Sequence, residues 1–440
     1  MQPWPGGAAR ARGSGFSLLA LVLAVGCVCS AIAAATAPAE VHGTRATAMI
    51  SRNANGPSEG GAFSQDGRRV TYYAFTSAAS NLVRGDTNGM YDVFALRRNG
   101  LGGSIQRVSV ASDGSQANGD SSNPSVDGDT HHRPHCMAFQ SSATNLDRRD
   151  PSPDSDIFVH RMGNDRTRLV SVGVDSATNP SIDGACSTVA YEAGGTIFVT
   201  DLDHGNRAAI APGTQPDQQT DGKGVVYVRD GQVWLQRFRA TRKGIRKRGG
   251  EQLVSAGPAG AGNGSSSRPS VNDDGHYVAF ESTATNLCNG TCTGVGGDRN
   301  GAMSDVFRRT MGSREMQLVS YSHGADAQGN GPSNNPAISS AGQFVLFDSA
   351  ASNLRPTSTP SDPNGHTRDV FLWNFPRGRA YGNVSRESRK GHTGFFNAPS
   401  IAPAASAHGN YVAFTTQSGR AAGGGGGSIP NVFMRFLGGA

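Results

Sequence analysis

One order of short segments recurs from end to end of the chain, and this repeat constrains the fold more than any other feature. Around residue 269 the sequence reads RPSVNDDGHYVAFESTATNL, then SDVFRR and, after a gap, MQLVS. The same order appears from residue 123 as NPSVDGD, CMAFQSSATNL, SDIFVHR and RLVS, and from residue 335 as NPAISSAGQFVLFDSAASNL, RDVFLWN and NVS. A final copy runs APSIAPAASAHGNYVAFTT over 398–416 and ends in NVFMRF, 431–436. Two shorter copies read NPSIDGACSTVAYEA (179–193) with GTIFVTD, and QPDQQTDGKGVVYVRD (215–230) with GQVWLQR. The first copy lacks the proline: GAFSQDGRRVTYYAF (61–75), SNL, YDVFALR and QRVSV. Gly61 and the prolines at 124, 180, 216, 269, 336 and 399 mark seven copies, spaced 36 to 67 residues apart.

Each copy reads as four short strands. Apolar runs of four to six residues, bounded by Gly, Asn, Asp and Pro, are strand and hairpin signals. Most central runs are apolar throughout, so their strands need cover on both faces. Similar sheets packed radially supply that cover, which predicts an all-β fold, a β-propeller of four-stranded blades. The composition agrees: 60 glycines and 22 prolines disfavour helices, and the glycines have no three-residue period that would indicate collagen. The seventh copy stops at its third strand, Asn431–Phe436, while Ala48-Met49-Ile50-Ser51 matches the missing fourth. Pairing these termini in one blade would close the ring and remove two free sheet edges. Seven blades are expected; six would follow if the short copies at 180 and 216 formed none of their own.

The N-terminal residues read differently. Arg10 and Arg12 precede an apolar stretch, Phe16–Val28, and small-residue sites such as Ala33-Ala34-Ala35. Residues 1–37 therefore read as a secretory signal peptide, leaving 38–440 as one propeller domain. An uncleaved membrane anchor, or a lipoprotein acylated at Cys27, is the alternative, and either would be the only membrane attachment. Beyond this segment lie four cysteines, an even number that suits disulfides in an exported chain. Cys288 and Cys292 are close enough to close a small loop, which would leave Cys136 with Cys186.

The string N-P-S-[IV]-x-x-D-G-x-x-V-A-F, followed by [AS]-[TS]-N-L and D-V-F, resembles the PD40-type, WD40-like repeats of TolB-like β-propellers. It covers roughly residues 45–437. The resemblance implies an exported, monomeric binding scaffold for a protein, peptide or cell-envelope glycan, with no catalytic residues defined by the repeat. TolB itself carries an extra N-terminal domain for which the sequence leaves no room, so its periplasmic partnership does not carry over. The alternative expectation is a propeller enzyme, a glycan lyase or hydrolase using carboxylates or a metal near the ring axis.

Three loops before third strands carry alternating oxygen ligands with a glycine: Asp86, Asn88 and Asp92; Asp298, Asn300 and Asp305; Asp362, Asn364 and Asp369. A looser version is Asp150, Asp154 and Asp156. Such loops fit calcium, although the EF-hand spacing is absent, and they equally fit turns capped by Asp and Asn. Seven basic residues fall between 237 and 248: Arg237, Arg239, Arg242, Lys243, Arg246, Lys247 and Arg248. They could hold an anionic partner from a hairpin loop. With only Phe238 among them, and a formal net charge of +6 over the chain, no nucleic-acid partner is expected. His131, His132 and His135 read as a surface turn. Gly56–Gly60 matches G-x-S-x-G without the strand and helix that motif requires. The aligned residues Phe94, Phe158, Phe198, Trp234, Phe307, Phe371 and Phe433 are expected in the core.

Overall fold

The structure is a computed structural model that describes residues 45–438, apart from 151, 289–291, 293–296, 323–325, 355–361, 363, 376–381, 392–393 and 418–428. The expected signal segment and the glycine run at 423–427 lie outside the described residues.

Seven four-stranded antiparallel sheets follow the seven repeats. Their innermost strands are Ser58–Phe63, Ser121–Val126, Thr178–Ile182, Thr214–Gln218, Ser266–Val271, Ser333–Ile338 and Ser400–Ala405. Each packs against the innermost strands of both neighbours, so the seven encircle an axis. The short copies form full blades, the third and fourth. The N-terminal strand Ala46–Met49 pairs with Asn431–Phe436, Met49 opposite Phe433, and completes the seventh.

The repeat letters have physical jobs. In blades 1, 2, 5 and 6 the Asp that opens the third strand accepts the hydroxyl of a Ser just past the fourth, as in Ser109 Oγ to Asp92 Oδ1 (2.5 Å), Ser320 to Asp305 (2.6 Å) and Ser388 to Asp369 (2.7 Å). At the closing blade Ser51 bonds Asn431 in the same way, at 2.9 Å, across the joined termini. Second- and third-strand aromatics stack in cross-strand pairs, Phe75 on Phe94, Phe139 on Phe158 and Phe280 on Phe307, all 5.8 Å between centroids. The expected aromatic stripe is buried at Phe94, Phe158, Phe307, Phe371 and Phe433, while Phe198 and Trp234 are half-buried. The glycines in the turns between first and second strands let blades nest. A Cβ on Gly275 (φ +67°) would lie 1.8 Å from Gln219 of the preceding blade, and one on Gly342 (φ +71°) 2.2 Å from Tyr277.

The repeat proline does not precede the first strand; it sits inside it, at a β-bulge. A proline cannot donate to a ladder, and a bulge is where a strand tolerates that loss. The bulge also shows that Pro403, within Ser400–Ala405, is the seventh marker, where the sequence pointed to Pro399. The residue before each of these prolines is left-handed: Asn123, Asn179, Gln215, Arg268, Asn335 and Ala402 have φ between 49° and 54°.

Candidate functional site

The three acid-rich loops resolve into two arrangements. In blade 1, Arg107 Nη1 lies 2.9 Å from Asp86 Oδ1, 3.2 Å from Asp92 Oδ2 and 2.9 Å from Gln116 Oε1. In blade 6, Arg386 reaches Asp362, Asp369 (2.8 Å) and Asn364 (3.4 Å) in the same way. A guanidinium supplies the positive charge between these carboxylates, so calcium and arginine would compete for the same oxygens. Blade 5 has Leu318 at the corresponding place, opposite Phe307 as Arg107 is opposite Phe94. There Gln328 Nε2 donates to Asp298 (3.0 Å) and Asp305 (2.7 Å) instead. Burial pushes the Asp305 carboxyl up to about 6, and the same cause, opposed by Arg386, puts Asp369 at about 6. Asp156 of the looser loop is also raised to about 6 by burial, with Asp150 beside it.

One of the two cysteine pairs meets the histidine turn. Cys136 is bonded to Cys186 across blades 2 and 3, and Cys288 to Cys292 within one loop. Beside the first bridge, Asp127 is fully buried and lies 3.0 Å from His135 Nδ1. His131 and His132 are exposed on the same turn, with His132 against Asp129.

The basic run is not a loop. The third and fourth strands of blade 4 extend through it as a ten-residue ribbon, Gln232–Thr241 and Gly244–Leu253. Only Arg242 and Lys243 occupy the turn between them.

At one mouth of the axis the left-handed residues form a site that no single motif announces. Asn123 Nδ2 donates to Gln140 Oε1 (2.9 Å) and Asn179 Oδ1 (3.2 Å), and Asn179 Nδ2 donates to Glu192 (3.0 Å). Glu192 accepts the backbone N–H of Gln215, whose side chain accepts that of Arg268 at 2.8 Å. Arg268 donates to Asn335, and Asn335 to Asp348 at 2.6 Å. Arg368 closes the arc on Asp348. This hydrogen-bonded arc spans blades 2 to 6. It gives way to Ile401, Ala402 and Gly60 in blades 7 and 1, where a Cβ on Gly60 would touch Ala402 at 3.0 Å. Asn123, Gln215 and Arg268 are exposed, as are Glu59 and Ile401. Aligning the residue before each repeat proline would have found the arc, since five of those six are polar.

Deeper along the same strands a second tier ties the blades together. Ser125, Ser181 and Ser270 hydroxyls each accept a backbone N–H from the next blade, at 2.9–3.1 Å. Asp217 does the same for Val271 at 2.8 Å, and burial pushes its carboxyl up to about 6.

No family model and no curated protein matches the chain. Among solved structures it is similar to an oligogalacturonate lyase in complex with manganese, at 11% identity and TM-score 0.50, over 90% of this chain and 96% of that one. A putative TolB from Agrobacterium tumefaciens matches at 13% identity and TM-score 0.38, over 76% and 94%. TolB from Acinetobacter baumannii matches at 13% and 0.33, over 65% and 60%. The shared property is the β-propeller fold. The repeat read above as TolB-like builds that fold here.

Proposed function

We propose that this chain is an exported binding scaffold that engages a protein, peptide or cell-envelope glycan at the channel mouth. The observation that carries the reading is how the arc spends its polar groups. Glu192, Glu281 and Asp348 each accept the backbone N–H of the next blade's left-handed residue, Gln215, Asn335 and Ala402. The remaining oxygens take bonds from Asn179, Ser267, and Asn335 with Arg368. These carboxylates are therefore spent on holding Gln215, Asn335 and Ala402 in register rather than offered to a substrate or a metal, and the exposed Asn123 and Arg268 are held through Asn179 and Gln215. A preformed rim of amide and guanidinium donors, broken by one small apolar notch, suits recognition with little ordering cost. Export is supported by the basic, apolar and small-residue order of residues 10–37 and by the two disulfides.

Binding to arrays of peptides and envelope polysaccharides tests the reading, with wild type compared against N123A/Q215A/R268A. Ligands held by the wild type and lost by the variant, at unchanged melting temperature, support it. Ligands held equally by both, or consumed with product formation, would overturn it.

A further inference from the structure

A second surface, on the outer rim, carries charge that neither the fold nor the mouth uses. In the blade 4 ribbon, Arg237 pairs opposite Arg248 and Arg239 opposite Arg246. Alternation along a strand puts those four arginines on one face and Phe238, Ala240, Ile245 and Lys247 on the other. The second face is covered at its apolar residues, with Lys247 left exposed: Phe238 is 2% exposed and, with Ile245, packs on Ala208 and Ile210 of blade 3. On the arginine face Arg239, Arg246 and Arg248 are exposed and Arg237 is half-buried, and among the described residues none of the four forms an ion pair. Like charges directly opposed in a ladder are destabilising, so the array costs stability that its own sheet does not repay.

The outer edge of blade 2 repeats the theme. An open cavity of about 910 Å³ there is lined by Arg148, Arg149, Arg161, Arg166 and Arg168, against the acids Asp113 and Asp147. Arg161 is opposite Arg166 in the ladder. Asp147 is engaged by Arg149, while Arg148, Arg161 and Arg166 form no ion pair among the described residues. The turn at the end of blade 3 joins the two places. Arg168 Nη1 donates to the Leu202 carbonyl at 2.9 Å, and Asn206 Nδ2 reaches the Arg242 carbonyl at the ribbon tip, 3.4 Å away.

We propose that the outer rim of blades 2 to 4 is a docking track for an acidic polysaccharide, its carboxylate or phosphate groups engaged by the blade 2 groove at one end and the four-arginine ribbon at the other. Guanidinium forks match such groups bidentately. Two basic stations linked by a turn favour a long flexible polyanion over a single small anion. A membrane surface is disfavoured because the arginine face carries no aromatic or aliphatic side chain to insert.

Alginate chains of about six and about thirty residues test this by titration against the whole protein, at about 20 to about 200 mM NaCl. The long chain should bind at least about ten-fold tighter, with affinity falling steeply as salt rises. R239A/R246A and R148A/R166A should each weaken it by about ten-fold, without lowering the melting temperature. R52A/R68A, which removes equal charge elsewhere, should leave it unchanged. The proposal is overturned by any of four results: equal affinity for both lengths, one of the two track variants binding as wild type, the control weakening as much as they do, or binding only to phosphatidylglycerol vesicles.

Discussion

Replacing Asp127 by Asn should make the protein's stability far less sensitive to pH. Asp127 directly follows the first strand of blade 2 and is fully buried. Its Oδ1 accepts the backbone N–H groups of His135 and Cys136, each at 2.9 Å. Burial pushes the carboxyl up to about 8, Asp183 adds to the rise, and the two N–H bonds and Arg161 oppose it. In the unfolded chain the same group titrates near ~3.9. The folded state therefore holds a proton that the unfolded state releases. The stability tied to it is complete below pH ~4 and is lost as pH rises toward and through 8. Between pH 5 and pH 8 each unit costs about 1.36 kcal/mol, about 4 kcal/mol in all. Asparagine keeps the Oδ1 acceptor and cannot ionise. Asp217, also raised by burial, titrates in both proteins and cancels in the comparison, whereas Asp183 is relieved of the repulsion of Asp127 in the variant, which widens the difference in the same direction. Urea unfolding at pH 5, 6.5 and 8 should show wild type losing about 4 kcal/mol more than D127N across the window. Parallel pH curves for the two proteins, or a D127N deficit that is the same at every pH, would refute the reasoning.

Three further outcomes follow from the packing. Phe307 is 2% exposed and stacked on Phe280, so F307A should cost about 3–5 kcal/mol in chemical denaturation. The Cys136–Cys186 bridge spans 50 residues, and C136S/C186S should lose about 4 kcal/mol, measured against wild type under non-reducing conditions. In blade 1, R107L strips the buried Asp86 and Asp92 of their counter-charge and should lose about 3–5 kcal/mol. Calcium should then raise the melting temperature of that variant by more than it raises wild type's, because the ion takes the guanidinium's place.

The fold was legible because the repeat letters do the same physical jobs from blade to blade: Asp and Ser clasp the third strand to the fourth in blades 1, 2, 5 and 6, with Gln232 or Asn431 in place of Asp in blades 4 and 7, and Gly makes room for the neighbouring blade. Ring closure was legible in Ala48–Ser51 because that segment carries the same clasping serine. The seventh marker was misread because two prolines, Pro399 and Pro403, lie four residues apart, and only the bulge shows which one the strand absorbs. The acid loops looked like calcium loops because ligand spacing along the chain is visible, whereas Arg107 comes from another strand. The basic run was visible as charge but not as a face, since the sorting of Arg from Phe and Ile depends on ladder register. The mouth was the hardest to see, since its arc is built from one residue per repeat and becomes a site only when the ring closes.

Hydrogen–deuterium exchange with and without the ligand selected from the arrays tests the central claim most directly. The account predicts slowed exchange in the innermost segments holding Asn123, Gln215 and Arg268, around one mouth and in several blades together. Slowing confined to the outer strands, with the innermost segments unchanged, would contradict it.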